Sequence, residues 1–339
     1  MEKGSVAIVF VHAALSGLAP QPQAVSAALA AAGIAPESLQ AAGARVSADQ
    51  YGRLWRAVAL ALDDEFFGQD ARRMKCGSFA LMCQAAIGAR TLGGAAARIA
   101  RFFGIVLDDF AVVLREHGAL ARLELHARHA GAARPFAHET LLIMLHGVLC
   151  WLAGRRIALR EAGFAYAEPA YSAEYRVMYC GVLRFGVPQT YVVFDAAVLA
   201  LPVQRTRADL RRFLRSAPAN FIVKYQNPEG WAARVRRQLK RTPPTAWPAF
   251  DTLAASFGVS VSTLRRRLEQ EGQSYRAIRE QLRRDLALAW LADTRRSVTR
   301  IALELGFADP SAFRRAFRGW TGARPGEYRR APGGRRLRP

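Results

Sequence analysis

Cysteine is scarce. The 339-residue chain holds four, Cys76, Cys83, Cys150 and Cys180, and no Cys-x-x-Cys pair. That count and spacing point to reduced, mostly buried thiols in a cytoplasmic protein rather than to a disulfide framework. No apolar run reaches the length needed to cross a bilayer, so no membrane partner is expected. The stretch from Met1 to Leu15 could pass for a signal peptide. Its charged region is weak and His12 interrupts the apolar run, so it reads as folded protein.

Catalytic signatures are also missing. No Ser-His-Asp or Cys-His arrangement follows from the spacing, and Gly93-Gly94 lacks the context of a phosphate loop. His126 and His129, with Glu124, are candidate metal ligands by type. On a strand, however, those two imidazoles point to opposite faces and do not share one metal easily. Solvated or hydrogen-bonded histidines are the expectation, and His138, Glu139 and His146 read as helix residues. No enzyme activity, catalytic residue, metal or cofactor is therefore expected.

Acidic residues are scarce in one half only. Residues 1–205 carry 20 Lys and Arg against 16 Asp and Glu; residues 206–339 carry 29 against 11. The net charge of +22 is thus concentrated C-terminally. A basic excess of that kind is the footprint of a phosphate-binding module and implies steep salt dependence. Half of the residues are apolar, which excludes a disordered chain, and the length suits two domains with separate cores.

The basic half contains one pattern twice. Asp251 to Leu268 and Thr299 to Phe317 align with Leu253-Ala254 on Ile301-Ala302, Gly258 on Gly306, and Leu264-Arg265-Arg266 on Phe313-Arg314-Arg315. The second copy has one extra residue in its turn. Each copy reads as a helix-turn-helix. Ala254 and Ala302 allow a close helix crossing, and Gly258 and Gly306 permit a left-handed turn. Val259 and Phe307 plug that turn. Ser260, and Asp309 followed by Pro310, start the next helix. The i,i+4 pairs Leu264/Leu268 and Phe313/Phe317 face inward, so Ser262, Arg265 and Arg266 face outward, as do Ser311, Arg314 and Arg315. An arginine fork pairs with guanine in a major groove, which admits a helix, whereas the A-form RNA groove does not.

The remaining chain mixes periods. Residues 1–75 look helical, with a capping box at Ser47 to Gln50. The sequence leaves Gly77 to Cys83 undecided between strand and helix. Thr91 to Gly104 reads as a helix stopped by glycine. Phe110 to Leu125 reads as a hairpin turning at His117-Gly118. His138 to Ala153 returns to helix, and Ile157 to Arg160 and Tyr191 to Phe194 are strand candidates. Together these predict an α+β domain over 1–205. Residues 206–241 are expected to hold a linker and a first helix, 242–330 the double helix-turn-helix, and 331–339 a basic disordered tail. Ser274 to Ala292 is the expected connecting helix.

The basic half resembles the DNA-binding domain of the AraC/XylS family of bacterial transcription regulators. The residues that carry the likeness are Phe257-Gly-Val-Ser, Ser262 to Leu268, Ile301-Ala-x-x-x-Gly-Phe and, most specifically, Gly306 through Trp320-Thr-Gly-x-x-Pro-Gly-Glu-Tyr328. The resemblance implies an all-α domain with two helix-turn-helix units joined by a long helix, reading adjacent major-groove segments of promoter DNA. Thr91-Leu-Gly, Arg101-Phe-Phe, Leu183 to Pro188, Phe194-Asp and Leu199 to Pro202 are similar to the N-terminal effector-binding domain of one subgroup. That implies a small-molecule effector, homodimer formation and contact with RNA polymerase; it assigns no pocket residue.

The expectation is therefore a sequence-specific regulator, an activator modulated by an effector of unknown identity. Ser262, Thr263, Arg265 and Arg266 would read one groove, and Ser311, Arg314 and Arg315 the next, about one helical turn (roughly 34 Å) away. Arg267 and Arg318 would hold phosphates. Pro310 stands where many relatives carry a polar residue, which narrows the expected base reading. The alternative is a non-specific basic architectural DNA binder with a vestigial sensor domain.

Overall fold

Alternating side chains at Phe110–His117 and Leu120–Ala127 do form a hairpin, with eight residue pairs from Phe110↔Ala127 to His117↔Leu120. Gly118 turns it with φ +59°, a backbone cheap only for glycine. The structure is a computed structural model describing residues 5–41, 43–129, 134–222, 230–271, 273–292, 296–321 and 324–330. The chain divides into two compact units, Met1–Gln226 and Asn227–Pro339.

The first unit opens with β1 (Ser5–Ala7) and α1 (Ile8–Leu15), followed by α2 (Pro22–Ala32), α3 (Glu37–Gln40), β2 (Arg45–Ser47) and α4 (Ala48–Leu62). β1 pairs antiparallel with β2, an element absent from the helical expectation. Ile8, Phe10 and Val11 are buried, so the N-terminal apolar run is core. Ser47 and Gln50 form the expected capping box on α4. Next come α5 (Ser78–Ile87), which resolves the undecided stretch as helix, and α6 (Leu92–Val106). Thr91 caps α6 by accepting from the Gly94 N–H. The helix runs past Gly104, because Phe103 and Leu107 are both buried and carry the chain on to the sheet.

The hairpin strands, β3 (Phe110–His117) and β4 (Leu120–Ala127), precede α7 (Pro135–Ala153), β5 (Glu161–Phe164), α8 (Ala173–Met178), β6 (Leu183–Phe185) and β7 (Thr190–Asp195). The sheet order is β3-β4-β7-β5-β6, antiparallel except for β5 with β6. Ile157 to Arg160 is not a strand. The Ile157 N–H is spent on Cys150 Sγ at 3.2 Å, which ties that segment to α7 before β5 begins. By length and composition α7 is apolar enough to cross a membrane, which corrects the expectation that no run reaches that length. In this structure it is a buried helix of the unit's core.

The last elements of the unit among the described residues are α9 (Arg207–Ser216) and α10 (Ala219–Ile222). Phe213 and Phe221 from these helices belong to the first unit's core. The segment 206–241 is therefore shared between the units, and their division lies beyond the expected residue 205.

The second unit is helical: α11 (Trp231–Lys240), a 3₁₀ turn at Pro244–Ala246, α12 (Phe250–Ser256), α13 (Val261–Gln270), α14 (Tyr275–Ala292), α15 (Val298–Glu304), α16 (Pro310–Thr321) and α17 (Pro325–Arg330). It holds two apolar clusters. One joins Val235, Leu239, Leu253, Leu264, Leu268, Ile278 and Leu282. The other joins Ala287, Leu291, Ile301, Leu305, Phe313 and Phe317. Helix α14 feeds both, and Leu286 packs against each. The tail 331–339 lies outside the described residues.

Candidate nucleic-acid interface

Two helix pairs, α12/α13 and α15/α16, present the repeated residues. Ala254 and Ala302 are buried at the crossings. Gly258 and Gly306 take φ +66° and +73°. At Gly306 a Cβ would also stand 3.3 Å from the Pro244 carbonyl oxygen, so a tight approach of the 3₁₀ segment adds to the glycine preference of the turn. Arg283 of α14 donates from Nε to the Leu305 carbonyl (2.9 Å) and from Nη2 to the Gly306 carbonyl (3.1 Å). Those bonds satisfy acceptors that the end of α15 leaves open.

Each presenting helix is capped. Ser260 Oγ accepts from the Thr263 N–H at 3.2 Å. Asp309 accepts from the N–H groups of Ser311 (2.7 Å) and Ala312 (2.8 Å). The Ala312 N–H, then the Ser311 N–H and the Arg315 charge, hold the Asp309 carboxyl below its ordinary range. A carboxylate at a helix start also suits the helix dipole.

Leu264, Leu268, Phe313 and Phe317 are fully buried, and that orientation turns the polar residues out. Ser262, Arg265 and Arg266 are exposed on α13, and Ser311, Arg314, Arg315 and Arg318 on α16. Two residues sit differently. Thr263 is half-buried, and its hydroxyl lies 2.8 Å from Ser260 Oγ within the cap. Arg267 is half-buried with its guanidinium 4.5 Å from the Trp231 ring centre, where Arg234 stacks at 4.1 Å. Arg314, Arg315, Arg318 and Ser311 line a cleft of about 690 Å³ together with Arg324 and Gly326. Arg324 escaped sequence reasoning because it falls on an unspecified position of the Gly-x-x-Pro-Gly run.

The candidate residues of the first unit are placed otherwise. His126 Nε2 lies 2.7 Å from Glu124 Oε2, and His129 Nε2 lies 2.8 Å from Asp109 Oδ1. The two histidines therefore have separate carboxylate partners. Among the described residues no group of three His, Cys, Asp or Glu side chains is placed to hold a metal ion. Cys83 and Cys150 are buried, Cys180 is half-buried and Cys76 is exposed. Sequence reading passed over Glu139 as a helix residue. It is buried, accepts from Tyr171 at 3.1 Å and from Tyr175, and burial pushes its carboxyl up to about 7.

The arabinose-binding N-terminal domain described for AraC transcription regulators matches residues 23–203, and a helix-turn-helix domain matches residues 253–331. The chain is 29% identical to the ornithine utilization regulator of Pseudomonas aeruginosa, over 96% of this chain and 97% of that one. It is 38% identical to the transcriptional regulator VqsM of the same species over 86 residues, 25% of this chain and 26% of that one. The crystal structure of the transcriptional regulator CdpR from P. aeruginosa aligns with 92% of this chain and 98% of its own length, at 21% identity and a TM-score of 0.33. An arabinose-binding-type domain over more than half of the chain, followed by a DNA-binding helix-turn-helix domain, makes this protein a member of the AraC family of transcription regulators.

Proposed function

We propose that α12/α13 and α15/α16 are two helix-turn-helix units that read adjacent major-groove segments of promoter DNA, with α14 as the connecting helix. The observation that carries this reading is the repeated geometry: two capped helices, each burying an i,i+4 apolar pair and exposing an Arg-Arg pair at the matching position. Arg265, Arg266, Arg314 and Arg315 are the base readers, helped by Ser262 and Ser311. Arg318 and Arg324 hold phosphates. Arg267 divides its role between phosphate and the Trp231 stack. Thr263 contributes through the cap more than through a base.

The protein acts as an activator in the cytoplasm, as a homodimer that engages RNA polymerase, under control of a small-molecule effector in the first unit. Amino acids are the ligands to test first, since one relative is named for ornithine utilization. Footprinting on an isolated target site tests the two-unit reading. Protection of two major-groove segments about one helical turn apart is expected. A single protected segment, unchanged when Arg314 and Arg315 are both replaced by Ala, would remove the second unit from the interface.

A further inference from the structure

A pocket of about 360 Å³ lies wholly within the first unit, lined by residues of α4, α5, α7, α9 and α10. We propose that it binds a small zwitterion, an α-amino acid with an apolar or aromatic side chain, and that this occupant acts on α10. The proposal rests on the effector reading above and gives it a place and a chemical class.

The floor is apolar. Trp55, Phe79, Met144 and Phe221 line it and are buried. Its volume is that of a small-ligand site. The mouth carries one charge of each sign, exposed Arg56 and half-buried Glu65. Each Glu65 oxygen accepts one backbone N–H, from Gly77 at 3.0 Å and from Phe79 at 2.7 Å. Each oxygen thus keeps acceptor capacity for a ligand. Burial, offset by those two bonds and reinforced by the charges of Asp64 and Asp63, raises the Glu65 carboxyl above its ordinary range. An arriving ammonium group relieves that penalty.

Arg56 donates from Nε to the Ala217 carbonyl and from Nη2 to the Arg215 carbonyl, both at 2.6 Å. That leaves Nη1 for a ligand carboxylate. A ligand with a single head group leaves one of the two mouth charges without its complement. A ligand with both head groups and an apolar side chain meets the mouth and the floor together.

The same pocket is walled by Leu214, Ala217, Pro218 and Phe221, from α9, α10 and the turn between them. Helix α10 is seated on two glycines. A Cβ at Gly52 would stand 2.8 Å from Ala219 Cβ, and a Cβ at Gly147 would stand 2.6 Å from Phe221 Cβ. The Phe221 ring then packs against Phe79 at 5.5 Å and Trp55 at 6.3 Å. An occupant touching Phe221 and Ala217 bears directly on α10 and on the turn that precedes it. Ligand binding is thereby coupled to the position of α10.

The test is calorimetric titration of the full chain with L-phenylalanine, L-leucine and L-methionine, beside phenethylamine and 3-phenylpropionate, which carry one head group each. At least one amino acid is expected to bind about ten-fold or more tightly than either one-headed analogue. Glu65→Gln is expected to erase that advantage. Ala80→Phe, which fills the pocket, is expected to abolish binding while leaving ligand-free DNA binding intact. Three results overturn the site: no amino acid binds, a one-headed analogue binds best, or both variants bind as well as wild type. The broader effector reading fails separately, if no metabolite of any class alters DNA binding by the unmodified chain.

Discussion

Arg266 and Glu139 are the two residues on which single substitutions say most. Arg266 is exposed on α13 beside buried Leu264 and Leu268, so its removal leaves the core alone. Arg266→Ala is expected to cost about 1–3 kcal/mol on the best site and to relax preference at one base pair. Equal weakening on every sequence, measured by titration against single-base variants, would make it a phosphate anchor instead. Glu139 reports on folding. Its carboxyl is raised from about 4.5 to about 7, first by burial, with the Tyr175 and Tyr171 hydroxyls opposing that rise. A raised folded value means stability present below the unfolded value and lost as pH climbs to the folded one. The loss therefore falls between about pH 4.5 and pH 7 and amounts to on the order of 3 kcal/mol. Glu139→Gln is expected to flatten the first unit's melting temperature across that window. A variant with the wild-type pH slope would place the titration elsewhere.

At the scale of elements, caps and glycines do most of the local specification. Ser260→Ala removes the α13 cap and is expected to cost about 1 kcal/mol of second-unit stability. Gly306→Ala forces a Cβ into a left-handed turn and against the Pro244 carbonyl. It is expected to cost about 1–2 kcal/mol or more, read as a lowered denaturation midpoint; an unchanged midpoint would mean that the turn relaxes freely. These features were legible in advance because they are local: a serine before an apolar period, a glycine after one. The hairpin was legible for the same reason, since alternation and a turn lie within one short stretch. What escaped was non-local. Arg207 to Ser216 looks like a basic connection until Phe213 is seen packed on Trp151 at 4.3 Å. The carboxyl of Glu139 becomes notable only when Tyr171 and Tyr175, more than thirty residues away, close over it. The α4–α10 pocket likewise draws on residues from 55 to 221, which no sequence window contains.

For the whole molecule, charge and repeat point the same way. The unit that holds both Arg-Arg pairs, residues 227–339, carries 24 Lys and Arg against 10 Asp and Glu, so affinity for any duplex should fall steeply with salt. That dependence alone does not separate a sequence reader from an architectural binder, because phosphate contacts serve both. The separating quantity is the ratio of specific to non-specific affinity. The measurement is to enrich binding sites from randomised duplex with the full chain, then compete the best site against its scrambled version at physiological salt. Two base-reading helices predict a ratio of about 10³ or more. A ratio near one, with salt dependence intact, would contradict the account and leave a non-specific basic DNA binder.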